Sequence, residues 1–271
     1  MPTRRTGEAG TGDGVIDFAP KQVSPSCHTH APVNYDGTEE MLHIEVHTRV
    51  PAEVIEAVSY RFPIVLNDER GSMFLGGEYL PESIIGAYYR GIFPWPHEAG
   101  DRIWYSSNPR AILPMDGLNI SRRLARTLRQ GRFHASVDAA FEDVIDGCAD
   151  RLPDKTWITP ELRDCYVELH RRGWAHSFEI WTADGELAGG LYGLAVCGMF
   201  GAESMFHRVT DASKAAMVAM IQYLSRIGVS LIDLQVLTEH TERMGAVEVP
   251  REEYLALLDV AFAQDVSWLP A

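Results

Sequence analysis

An α+β fold, with helices packed on a mostly antiparallel sheet, is what the sequence predicts. Three observations carry it. The second half reads as three strands, a helix, a strand and a final helix. Asp184-Gly185, between the first two of those strands, is a tight hairpin turn signal. The helix that follows is apolar nearly all round, with Ala215, Ala216, Met217, Val218, Met220, Ile221 and Leu224, so it is covered on more than one side.

Each element has its own local reason. Residues 1–40 are rich in Gly, Pro, Thr and Ser without a period, the composition of a poorly ordered tail. Cys27, His28 and His30 lie in it and read as incidental rather than as metal ligands. From Leu42 the run HIEVHTRV alternates as a strand. Pro81 opens and Gly91 closes a helix around the apolar run 84–89. An aromatic stretch follows over 91–96, then extended chain over 102–113 around Pro109. Ser121 starts a basic helix, SRRLARTLRQ, ended by Gly131, and two more helices are predicted over 139–149 and 160–172. Strands are predicted over 177–181, 187–196 and 199–206. Asp211 is read as the cap of the apolar helix, which ends before Gly228. A buried strand over 230–236 and a last helix opened by Pro250 and running through Ala263 complete the chain.

Composition limits the function. The chain has 271 residues, 46% hydrophobic and 23% charged, enough for a sizeable core in a globular protein. No window approaches the ~18 apolar residues of a membrane span. The first residues carry two arginines but no apolar signal core. Four cysteines stand far apart with no CxxC pair, so neither a zinc site nor a disulfide framework is predicted, and the compartment is read as cytoplasmic. The net charge is −14, so bulk charge does not hold nucleic acid and only a local patch can. Of the 24 basic residues 21 are arginine, whose planar fork suits phosphate. GxSxG, Walker A, HExxH and GxGxxG are all missing, which removes the usual supports of serine hydrolysis, nucleotide hydrolysis, zinc proteolysis and dinucleotide chemistry.

Three constellations remain. Arg122, Arg126 and Arg129 share one helix face with Arg123 beside them, and no acid lies between Gly117 and Val137. This is either a solvated face or a surface for the phosphate backbone. Glu203 stands in the strand FGAESMF with apolar residues on both sides. A carboxylate there is costly unless paired or protonated, so it needs an arginine such as Arg208, or the ammonium group of a ligand. Asp233 and Gln235, in LIDLQV, point to the same face of a strand. They can bond to each other and offer the amide carbonyl to a reacting proton, or they cap a nearby loop. His240 reads as a surface or packing residue, with a base as the alternative.

The chain resembles the leucyl/phenylalanyl-tRNA–protein transferases through GAYYRGIFPW (86–95), RIWYSSNPRAIL (102–113), the basic helix, DGCADR (146–151), TWIT (156–159), ELHRRGWAHSFEIW (168–181), GELAGGLYGLA (185–195), ESMFHRVTDASK (203–214), LIDLQVLTEHT (231–241) and GAVEVPREEYL (245–255). These matches lie in order over about two thirds of the chain. The resemblance implies a small N-terminal α/β domain (41–115) after the tail, and a C-terminal domain (116–271) like that of the GNAT acyltransferases. It implies transfer of Leu, Phe or Met from aminoacyl-tRNA to the α-amine of proteins beginning with Arg or Lys, a degradation mark under the N-end rule. It implies a monomer without cofactor or metal. By the same carry-over Asp233 and Gln235 are the catalytic pair and Glu203 orients the amines. Trp95 and Trp157 hold the tRNA 3′ end and the acceptor. Leu191, Phe200, Met205, Met217, Met220 and Ile232 line the side-chain pocket, and Arg122, Arg123, Arg126 and Arg129 hold the acceptor stem.

The residue chemistry agrees with that implication. An aminoacyl ester is already activated, and orientation alone supplies up to ~7–11 kcal/mol. An apolar pocket separates side chains by only about 1–3 kcal/mol per methylene, which gives loose choice among Leu, Phe and Met. The sequence departs from the family pattern at Ala202 (usually Gly), Met220 (often aromatic), Gly76-Gly77-Glu78 (usually GGD) and Arg243-Met244 (usually Ser-Leu). Two other functions fit the same residues: amide formation onto a small-molecule amine, and tRNA binding without catalysis.

Overall fold

The computed structural model describes residues 18–19, 64–96, 102–150 and 156–268. The strand expected in HIEVHTRV and the group Cys27, His28 and His30 lie outside the described residues.

Two sheets organise the described residues. The smaller has four strands: β2 (Ile64–Asp68), β3 (Gly71–Leu75), β4 (Phe93–Pro94) and β5 (Ile103–Ser107), in the order β2-β3-β5-β4, all antiparallel. Helix α1 (Pro81–Tyr88) connects β3 to β4 and has proline at its first turn, as expected. The larger sheet has eight strands. Two come from early in the chain: β1 (Phe18–Ala19), within the stretch expected to be a loose tail, and β6 (Arg110–Leu113), within the stretch assigned to the small domain. The others are β7 (Phe133–Val137), β8 (Ala175–Thr182), β9 (Leu187–Val196), β10 (Met199–His207), β11 (Leu231–Gln235) and β12 (Val247–Val249). The order is β1-β7-β8-β9-β10-β11-β6-β12. Only β1/β7 and β10/β11 pair in parallel, so the sheet is mostly antiparallel, as the sequence predicts.

The basic helix is α2 (Arg122–Arg129), and α3 (Phe141–Ala149) and α4 (Pro160–Arg171) fill the places predicted for two helices. Ser121 caps α2 by accepting from the Leu124 amide, and Thr159 caps α4 by accepting from Leu162. The apolar helix is α5 (Ala212–Ile227), and α6 (Glu239–Arg243) and α7 (Arg251–Phe262) follow β11 and β12. One expectation fails here. Asp211 stands at the start of α5 with φ +72, and its side chain makes no capping bond. Its carboxylate turns instead to Arg123 at 2.6 Å and Lys214 at 3.5 Å.

The large sheet is buried on both faces. Helix α5 covers one, packing Met217 and Met220 with Phe178, Leu191, Phe200 and Ile232. Helices α1, α3 and α4 cover the other, where Ile84, Tyr88, Val144, Tyr166, Tyr192 and Met199 meet. Burial on both faces explains why β9 is buried at every position.

Candidate active site

The site lies where two parallel strands separate. β10 and β11 pair at Met199↔Leu231, Phe200↔Ile232 and Gly201↔Asp233, although β10 continues to His207. Each strand carries an irregularity at the parting. The β10 register against β9 shifts between Ala202 and Ser204, so Glu203 is the extra residue of a bulge. The β11 register against β6 shifts between Asp233 and Gln235, and Gln235 has φ +59.

The bulge sorts the side chains. Phe200 pairs with Ala195 and Met205 with Leu191, positions on the same face of β9. Strict alternation would put Phe200 and Met205 on opposite faces; the extra residue brings both to the α5 side. All six expected pocket residues accordingly fall in one apolar cluster. Leu191, Phe200, Met217, Met220 and Ile232 are buried and Met205 is partly buried against them. Ala202 packs against the same cluster.

Glu203 points toward the opposite helices. Its Oε1 accepts from the Tyr166 hydroxyl at 2.6 Å and from the Tyr88 hydroxyl. The sequence calls for a cation here, and among the described residues none forms an ion pair with it. Arg208 instead lies 5.2 Å from the Phe206 ring centroid and reaches the Leu187 carbonyl at 3.4 Å. Burial pushes the Glu203 carboxyl up to about 7, against the pull of the two hydroxyls. The phenols of Tyr88 and Tyr166 are pushed well above their ordinary range by burial and by the Glu203 charge. Gly201 makes room for this arrangement, since a Cβ there would stand 2.7 Å from the Tyr88 ring.

Gln235 joins the same network. In the amide orientation that satisfies both ends, its nitrogen donates to the Ala202 and Leu234 carbonyls at 3.0 Å. Its Oε1 then faces the Tyr88 hydroxyl at 3.2 Å. Tyr88 has one proton for two acceptors. A charged Glu203 takes that proton and leaves the Gln235 carbonyl open to a donor from outside.

Asp233 departs from the sequence reading. It is fully buried, and its carboxylate meets the Gln235 backbone N–H at 2.9 Å rather than the side-chain amide. The left-handed backbone at Gln235 turns the side chain away from its neighbour on the strand. Asp233 also takes a two-point bond from Arg110, at 2.8 and 2.6 Å, and the Tyr254 hydroxyl at 3.0 Å.

Trp95 and Trp157 stand together, with rings 6.2 Å apart and 10° from parallel. Phe93 stands edge-on to Trp95 and lies 4.6 Å from the Arg110 guanidinium, so aromatic contacts run from the tryptophans to the ion pair behind Asp233. On α2, Arg122, Arg123, Arg126 and Arg129 are exposed while Leu124 anchors the helix in the core. Arg123 is engaged by Asp211, whereas among the described residues Arg122, Arg126 and Arg129 make no ion pair.

Sequence reasoning missed Tyr88, Tyr166, Arg110 and Tyr254. Arg110 carried a usable signal: it opens a strand, RAIL, whose other residues are apolar, and a lone buried guanidinium demands an acid as Glu203 demands a partner. The tyrosines carried none, because a phenol in an apolar helix face reads as core.

Residues 112–259 match the profile described as leucyl/phenylalanyl-tRNA protein transferase, and residues 77–108 match that of its N-terminal domain. The chain is 47% identical over 213 residues to the leucyl/phenylalanyl-tRNA–protein transferase of Anaeromyxobacter sp. (strain Fw109-5), covering 78% of this chain and 88% of that one. It is 43% identical over 204 residues to the protein of that name from Magnetococcus marinus, covering 73% and 87%. Among solved structures, L-PGS from Bacillus licheniformis aligns with TM-score 0.39 and 11% identity, over 71% of this chain and 73% of that one. A GCN5-related N-acetyltransferase from Kribbella flavida aligns with TM-score 0.35 and 15% identity, over 60% and 59%.

Proposed function

The chain belongs to the leucyl/phenylalanyl-tRNA protein transferase family, and from that premise we propose that it moves Leu, Phe or Met from aminoacyl-tRNA onto the α-amine of proteins that begin with Arg or Lys. The observation that carries this reading is the meeting of Glu203 and Gln235 at Tyr88, where β10 and β11 part.

The aminoacyl side chain enters the apolar cluster under α5, and the stacked Trp95 and Trp157 hold the terminal adenosine. Stacking of this kind contributes roughly 1–3 kcal/mol per base. The arginines of α2 contact the acceptor stem. Glu203, which has hydroxyl partners and, among the described residues, no ion pair, receives the charged side chain of the acceptor's first residue, Arg or Lys. Gln235 accepts an N–H of the attacking amine. The amine nitrogen forms a bond to the ester carbonyl carbon, the bond to the ribose 3′ oxygen breaks, and the amine's proton ends on that oxygen. The ester is already activated, so no covalent enzyme intermediate enters.

The division into a small N-terminal unit and a larger catalytic one belongs to this reading, with β6 supplied across the boundary to the large sheet. A single copy of the chain, working in the cytoplasm, suffices. Among the described residues no helix is long and apolar enough to cross a membrane.

The test is transfer of labelled Leu, Phe or Met from charged tRNA to peptides beginning with Arg, Lys, Asp or Ala. Label on the Arg and Lys peptides alone is the expected result. Label on none of them, with tRNA still bound, would overturn the reading.

A further inference from the structure

Arg110 is a fully buried charge at the head of a strand whose four residues are all buried. Its Nε and Nη2 form a fork on Asp233, at 2.8 Å to Oδ1 and 2.6 Å to Oδ2. Its Nη1 donates to the Gly91 carbonyl at 2.9 Å. The guanidinium lies 4.6 Å from the Phe93 ring centroid and 4.4 Å from that of Tyr254. With Nη2 also 3.4 Å from the Tyr254 hydroxyl, four residues hold it in one place.

The acceptors of Asp233 are all occupied. Oδ1 takes Arg110 Nε and the Gln235 backbone N–H; Oδ2 takes Arg110 Nη2 and the Tyr254 hydroxyl. A carboxylate offers about four lone-pair positions, and four donors fill them. None remains for the Gln235 side chain or for a proton in transit. What Asp233 holds is the Gln235 main chain, at a φ uncommon for a residue other than glycine. The Ser107 hydroxyl braces the same residue by donating to its carbonyl at 2.8 Å.

The geometry points to Arg110 as a positioning residue for the transfer reaction: it clamps Asp233, and Asp233 in turn fixes the backbone that aims the Gln235 amide. Asp233 is then a second positioning residue and takes no part in proton transfer. This inference rests on the transferase reading above and adds to it a residue with no role assigned there. The fork is the essential feature, because a lysine at the same place supplies a point charge and cannot bridge both oxygens.

The experiment compares wild type, Arg110→Lys and Tyr254→Phe in the full chain. It measures single-turnover transfer, the KM for an Arg-initiated peptide, and tRNA binding. Arg110→Lys is expected to lower kcat about 100-fold, the loss that a misplacement of about 1 Å brings. KM and tRNA affinity are expected to stay within about twofold, a split that general loosening of the fold would not give. A folded Arg110→Lys with kcat within about threefold of wild type, or with its loss confined to KM, would overturn the inference. Tyr254→Phe removes one donor from Oδ2 at nearly constant shape, which keeps the question open to test if Arg110→Lys does not fold. It should lower kcat about tenfold, the worth of one hydrogen bond to a charged group, with KM unchanged. Wild-type kcat in Tyr254→Phe would also overturn the clamp. A wild-type chain that transfers nothing would instead sink the transferase reading, and the inference with it.

Discussion

Two carboxylates stand at the parting of β10 and β11, and their surroundings differ in kind. Asp233 on β11 is ringed by four donors, two of them from a guanidinium. Glu203 on β10 has two phenol hydroxyls, both on Oε1, and among the described residues no cation and no donor to Oε2. The first is complete and the second is not. A fully buried acid whose contacts are all satisfied serves as scaffold, and a half-buried one without a counter-charge is the place where a substrate's charge enters. The sequence shows both as acids in apolar strands. Only the partners tell them apart.

The largest effect that would break this contrast is on stability. Asp233→Asn leaves the Arg110 charge buried with half of its pair gone, an expected loss of about 3–5 kcal/mol in urea unfolding. Glu203→Gln at pH 8 should be neutral or stabilising, because the folded protein no longer holds a carboxylate without a cation. Equal losses in the two variants would contradict the distinction.

The pH dependence sharpens it. Glu203 binds its proton more tightly in the folded chain than in the unfolded one, so its contribution to stability is whole below the ordinary carboxylate range. That contribution is lost as pH rises through about 7. Glu179, buried among Ser136 and Ser177 and also pushed up to about 7, adds a slope of the same sign. The stability difference between Glu203→Gln and wild type should therefore grow in favour of the variant over that interval. Affinity for an Arg-initiated peptide should rise over the same interval in wild type and stay flat in the variant. Peptide titrations at several pH values read both trends.

The basic helix offers a smaller contrast of the same type. Arg123 is already paired with Asp211, while Arg126 and Arg129 are not paired among the described residues. Arg126→Ala with Arg129→Ala should reduce the salt slope of tRNA binding by roughly one for each arginine, and Arg123→Ala by less. Equal slopes in all variants would mark α2 as a solvated face. The smallest effect is expected in the pocket. Met220→Phe adds bulk at a fully buried position and should move the preference between Phe and Leu by about tenfold, read as the ratio of kcat/KM values.

Periodic features were legible in the sequence. The β8–β9 hairpin at Asp184-Gly185, α5 with its continuous apolar surface, and the helices punctuated by Pro81, Gly131 and Gly228 follow from patterns that the chain carries locally. Short or irregular features were not. β7 reads FHASV, with Phe133 half-buried and His134 exposed, and its strand character comes from pairing with β8. Strand β12 has three residues and helix α6 five, too few for a period to show. In the site, the need of Glu203 for a partner was legible and the partner's identity was not. The bulge at Glu203 and the positive φ of Gln235, a residue that rarely adopts one, are set by tertiary packing. They decide that Tyr88 and Tyr166 meet Glu203, and that Asp233 meets a backbone amide instead of a side chain.

The most direct measurement of the central claim is acceptor choice in wild type and Glu203→Gln. Both proteins would be given the same charged tRNA and matched peptides beginning with Arg or with Ala. The account predicts strong preference for Arg in wild type, and collapse of that preference in Glu203→Gln with tRNA binding unchanged. A variant that keeps the wild-type preference would show that Glu203 does not receive the acceptor's charge.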